Sequence, residues 1–113
     1  GAPLDVTVVR REGRATVRAT GDVDRETSSK LAEAIAAAGE TSDAIELDLD
    51  GVRFMDSQGL RVMIEASNAA GPDKSVVVAA ASPQVRQLLA TTGLTEMFEL
   101  EDEGSDSEGP SSR

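Results

Sequence analysis

The hydrophobic positions change period several times along the chain. Val6 and Val8, then Ala15, Val17 and Ala19, alternate with Thr7, Thr16, Arg18 and Thr20, which predicts two strands. Glu12-Gly13-Arg14 between them suits a hairpin turn. From Arg25 to Ala38 the spacing becomes helical, with Leu31, Ala34, Ile35 and Ala38 on one face and Gly39 as the expected stop. Ile45, Leu47 and Leu49 alternate with Glu46, Asp48 and Asp50, so the third strand has one face in water and the pattern of an edge. A second helix follows Ser57, with Leu60, Met63, Ile64 and Ser67 along a stripe, and ends near Gly71-Pro72. Val76 to Ala80 is apolar on both faces and reads as a central strand. Ser82-Pro83 joins an N-cap residue to a proline at the first helical position; Val85, Leu88 and Leu89 form the buried face and Gly93 the end. Leu94, Met97 and Phe98 are expected to pack a short last element on the core.

The predicted order is β-β-α-β-α-β-α. Wet faces on the second and third strands mean that helices do not cover the sheet evenly. The expected class is α/β, a small mixed sheet with helices mainly on one face and right-handed crossovers in the later β-α-β steps. The 113 residues make one domain over residues 1–100, with 101–113 as an acidic, disordered tail. Six of the 21 acids lie from Glu99 onward, which leaves about −5 of the total −10 on the first 98 residues. Ser105-Asp106-Ser107-Glu108 in the tail resembles sites of acid-directed kinases, although such tails usually serve solubility.

Composition then removes whole classes of function. With no Cys and no His, disulfides, thiolate chemistry, imidazole relays and the usual zinc sites are excluded. A net charge of −10 repels a phosphate backbone, and only two aromatics, Phe54 and Phe98, are present to stack on bases, so no nucleic acid is expected. No apolar run reaches the length of a membrane span and no signal peptide opens the sequence, so neither a membrane partner nor export is expected and the domain is read as cytoplasmic. Gly1-Ala2 before Pro3, without an initiator Met, reads as an expression remnant.

Nucleotide-cradling, zinc-protease and nucleophile-elbow motifs are all missing. Asp22 and Asp24 are the nearest approach to a carboxylate pair, but they sit where a strand turns into a helix, and punctuating that turn is the simpler reading. The informative stretch is Val52-Arg53-Phe54-Met55-Asp56-Ser57-Gln58-Gly59-Leu60. Ser57 is expected at the N-cap or one residue from it, and capping accounts for most serines so placed. A helix start also tolerates added negative charge, and a phosphoryl group brings about −1.5 to −2 charges with three acceptor oxygens. Arg61 and Glu65, one turn apart, can pair with each other or with a partner.

Taken together, Gly21-Asp22-Val23-Asp24, the strand Ile45 to Asp50, the Phe54–Leu60 segment and the closing Val76–Leu100 stretch resemble a STAS domain of the bacterial anti-sigma factor antagonist family, over Leu4 to Leu100. The resemblance implies that Ser57 is the phosphoacceptor and that Asp24 lies near it. It implies a contact patch of Asp24, Met55, Asp56, Ser57, Gln58, Gly59, Leu60 and Arg61. The implied partner is an anti-sigma factor that is also a serine kinase of the GHKL ATPase type. The unphosphorylated antagonist binds it and so frees a sigma factor; phosphorylation breaks the complex and a PP2C-like phosphatase restores it. Many members carry a second Ser or Thr where this chain has Gln58. On this reading the protein is not an enzyme and needs no cofactor or metal. The alternatives are a structural STAS subunit bracing the ATPase of a lipid transporter, with no switch at Ser57, and, weakest, a metal-dependent enzyme built on Asp22, Asp24 and Asp56.

Overall fold

The computed structural model describes residues 2–100, so the expected acidic tail and its serines lie outside the described residues. β1 (Asp5–Arg11) and β2 (Arg14–Val23) form an antiparallel hairpin whose two loop residues, Glu12 and Gly13, both take positive φ, 42° and 83°. That is the geometry of a primed two-residue turn, whose twist matches the flanking strands. β2 leads through α1 (Ser28–Thr41) to β3 (Ala44–Met55), and β3 leads through α2 (Ser57–Ala70) to β4 (Ser75–Ala81); both strand pairs are parallel. α3 (Pro83–Thr91) then packs against β3 and β4. The sheet order is β1-β2-β3-β4, so the expected element order and mixed sheet are present.

β2 and β3 are therefore central and β4 is an edge, the reverse of what the patterns of β3 and β4 suggested. Alternation reports how many faces of a strand are covered, not where it lies in the sheet. Ile45, Leu47 and Leu49 face the core, while Glu46 and Asp48 lie on a polar face with Thr16, Arg14 and Arg18. In β4 a bulge at Ala79 lets Val76, Val78 and Ala81 all turn inward, and this broke the alternation. Its outer edge is partly closed by the last segment, where Val78 N donates to Phe98 O at 2.9 Å and the Phe98 ring is fully buried.

α1 starts three residues later than expected and runs through Gly39 to Thr41. Residues 25–27 form a turn organised by Asp24, and Arg10 of β1 reaches the helix end, donating to Thr41 Oγ1 and Ala37 O. A tertiary partner thus sets the end that a glycine was expected to set. α3 follows the sequence pattern closely. Ser82 Oγ accepts from Val85 N at 3.3 Å, and Gly93, at φ 75°, permits the paired bonds Leu94 N to Leu89 O and Gly93 N to Ala90 O that close the helix.

Candidate functional site

The site lies at the carboxyl ends of the neighbouring parallel strands β2 and β3, where open α/β sheets commonly place their functional loops. Val23 pairs with Met55 in the sheet, and Asp56 N donates to Val23 O at 3.1 Å, which ties the two chain exits together. Asp24, Arg25, Glu26, Asp56 and Gln58 line one shallow, open depression. Asp24 and the Ser57 segment, far apart in sequence, are thus brought together.

Asp56 is the N-cap of α2. Its Oδ1 accepts from Gln58 N at 2.9 Å and Gly59 N at 3.3 Å. Ser57 is the first helical residue, one position beyond the cap, and its side chain is exposed. A hydroxyl at the cap would be held by the helix; one residue later it is turned to water. The helix-start donors that were expected to welcome a phosphate are in part already taken by the Asp56 carboxylate, so added charge at Ser57 meets a neighbouring anion as well as a favourable dipole.

Asp24 performs the equivalent task before α1. Its Oδ1 accepts from Glu26 N at 3.0 Å and Thr27 N at 3.1 Å, while Thr27 Oγ1 accepts from Asp24 N at 2.9 Å and donates to Asp22 O at 2.8 Å. Partial burial raises the Asp24 pKa, but the hydrogen bonds from the Thr27 backbone and hydroxyl and from Glu26 N outweigh it and hold the carboxyl below its ordinary 3.8. Asp22 Oδ2 accepts from Ala2 N at 2.8 Å. The three carboxylates once grouped as a metal set each serve backbone N–H groups, and no cluster suited to a metal occurs among the described residues.

Met55, Gly59 and Leu60, expected in the contact patch, are buried. Their part is positional. A Cβ on Gly59 would lie 2.6 Å from Val23 Cγ1 and 2.7 Å from Met55 Cγ, so only glycine lets the first turn of α2 sit this close to the ends of β2 and β3. The residues that face solvent are Ser57 and Arg61, with Asp24, Asp56 and Gln58 partly exposed. Arg61 Nε pairs with Glu65 Oε2 at 3.1 Å along the exposed face of α2. Sequence reasoning left Phe54 out of the patch; the structure places it at the surface beside the site, 42% exposed.

A separate apolar groove of about 280 Å³ runs between α1 and α2, lined by Ile35, Ile45, Val62, Ala66 and Val76. It is better enclosed than the depression at the strand ends but contains none of the candidate residues. No helix of the described residues is long and apolar enough to cross a membrane.

Comparison with known proteins agrees with this geometry. The family model described as Mlab, STAS domain matches residues 6–100. The anti-sigma-F factor antagonist RsfB of Mycobacterium tuberculosis H37Rv is 30% identical over 98 residues, covering 86% of this chain and 80% of RsfB. The crystal structure of an anti-sigma factor antagonist from Mycobacterium paratuberculosis superposes with a TM-score of 0.80 at 28% identity, covering 91% of this chain and 89% of that one. The Bacillus cell fate determinant SpoIIAA in its phosphorylated form shares the fold at a TM-score of 0.68 and 16% identity, covering 90% of this chain and 96% of its own. With a matching model across nearly the whole fold and a relative aligned over most of both chains, this protein belongs to the anti-sigma factor antagonist family of STAS domains.

Proposed function

We propose that this protein is an anti-sigma factor antagonist switched by phosphorylation of Ser57. In the unphosphorylated form it binds an anti-sigma factor that is also a serine kinase of the GHKL ATPase type, and a sigma factor is released. The observation that carries this reading is the exposed Ser57 hydroxyl on the first residue of α2, held in place by the Asp56 cap on one side and the buried Gly59–Leu60 turn on the other. The kinase supplies ATP and metal; the γ-phosphoryl group leaves ADP for Ser57 Oγ, and the hydroxyl proton leaves to a base of the kinase. A PP2C-like phosphatase reverses the step.

The mode of the switch follows from the charges around Ser57. Asp24, Glu26 and Asp56, with Arg25, line the depression formed by its sequence neighbours Asp56 and Gln58. A phosphoryl group of about −1.5 to −2 charges raises the cost of desolvating this surface under a docked partner and repels any acid of that partner. In the free protein the same group stays in water, so the fold survives what the interface does not.

The test is a paired pull-down from the source organism with Ser57→Ala and Ser57→Asp baits, read by mass spectrometry. A GHKL-type kinase kept by the Ala bait and lost from the Asp bait is the expected result. A partner held equally by both, above all a transporter ATPase, overturns the switch and favours a structural STAS subunit.

A further inference from the structure

Phe54 is one of two aromatic residues in the chain. Phe98 is fully buried and explained by the core; Phe54 is 42% exposed. Its outward direction is built by the sheet. Along β3, Val52 faces inward, and simple alternation would turn Phe54 inward with it and Met55 outward. Instead the register of β2 against β3 shifts between Gly21 and Asp22: Gly21 pairs with Val52, but Asp22 pairs with Phe54 and Val23 with Met55. The extra residue, Arg53, reverses the phase, so Met55 enters the core and Phe54 points to solvent. Ser57 is the third residue after Phe54, a Cα span of at most about 11 Å. A partner docked over Ser57 with an interface of ordinary size, about 800 Å² per side, spans that distance.

We infer that Phe54 is the apolar anchor of the partner interface, seated in a hydrophobic pocket of the same anti-sigma factor that reads Ser57. This rests on the functional reading above and adds to it the residue that supplies affinity, where Ser57 supplies control. Interfaces draw most of their affinity from a few large side chains, aromatics prominent among them, placed near the centre and ringed by polar groups. Here Asp22 pairs with Phe54 across the sheet, and Asp24, Glu26 and Asp56, with Arg25, line the depression at the adjoining strand ends; the excess of acids asks for basic groups around the partner's pocket. Among the described residues the other large apolar side chain with comparable exposure is Val9, in the polar-faced part of the sheet formed by the β1–β2 hairpin.

The experiment titrates a purified GHKL-class anti-sigma factor of the source organism into wild-type protein and into Phe54→Ala, Phe54→Gln, Val9→Ala and Ser57→Asp variants, with thermal melts of each. The expected result is at least about 30-fold weaker binding for both Phe54 variants. Phe54→Gln keeps a long side chain over its neighbours, so its melt separates lost contact from lost fold. Val9→Ala binds as wild type does. Wild-type affinity retained by the Phe54 variants overturns the anchor and leaves the functional reading intact, since Ser57→Asp still reports on that. Failure of the wild-type protein to bind overturns both.

Discussion

Asp56 holds two backbone donors at the start of α2, Gln58 N and Gly59 N, and so leaves the Ser57 hydroxyl outside the cap. Loss of such a cap costs about 0.5–2 kcal/mol, so Asp56→Ala should lower stability by about 1 kcal/mol in urea melts. Ser57→Asp should behave differently. The helix dipole favours the new charge by about 0.3–1 kcal/mol and the adjacent Asp56 opposes it by a similar amount, so the melting free energy should change by less than about 1 kcal/mol. A larger loss would mean that charge at Ser57 acts by unfolding the helix start. Asp24 adds a pH dependence. Its folded pKa lies below the ordinary 3.8, so its ionised form stabilises the fold above that pH, and the contribution is lost as pH falls through the lowered folded value. Asp24→Ala should therefore be less stable than wild type at neutral pH, with the gap narrowing as pH falls through the lowered folded value. A gap that stays constant down the acid limb would show that the ionised carboxylate is not what orders the turn.

The elements meet most closely where α2 starts. Gly59 lies against Val23 and Met55 with no room for a Cβ. An alanine there gains up to about 1 kcal/mol of helix propensity, whereas overpacking costs about 1–3 kcal/mol, so the clash wins. Gly59→Ala should lose stability slightly and Gly59→Val by about 2–3 kcal/mol, and Gly59→Val should also weaken partner binding by shifting Ser57 off the strand ends. Denaturant melts with a binding titration check both. Much of this level was legible in advance. The helix stripes, the Glu12-Gly13 turn and the Ser82 cap are written in residues a few positions apart. Gly39 misled because the end of α1 depends on Arg10 from β1, about thirty positions upstream.

At the scale of the whole molecule, the sheet has one face under α1 and α2 and a polar face where Arg14 pairs with Glu46 and Arg18 with Asp48 at 3.7 and 3.8 Å. The arginines of both pairs are well exposed, and exposed pairs contribute about 0–1 kcal/mol, so Arg18→Ala should change stability by less than about 0.5 kcal/mol. Phe98 is the opposite case. Its ring is fully buried and its carbonyl caps the edge of β4, so Phe98→Ala should cost about 3–5 kcal/mol, a large part of the stability of a small domain. A thermal melt distinguishes the two at once.

The order of elements, the faces they bury, the hairpin turn, the cap of α3 and the segment around Ser57 are all readable from the chain, because each depends on neighbours within about one or two turns. Tertiary structure decided the rest. Which strand is central, that Asp24 reaches the depression at the start of α2, and that Phe54 turns outward all depend on pairings between strands distant in sequence. Such pairings fix lateral order and bulge phase, and a bulge of one residue reverses every side chain beyond it.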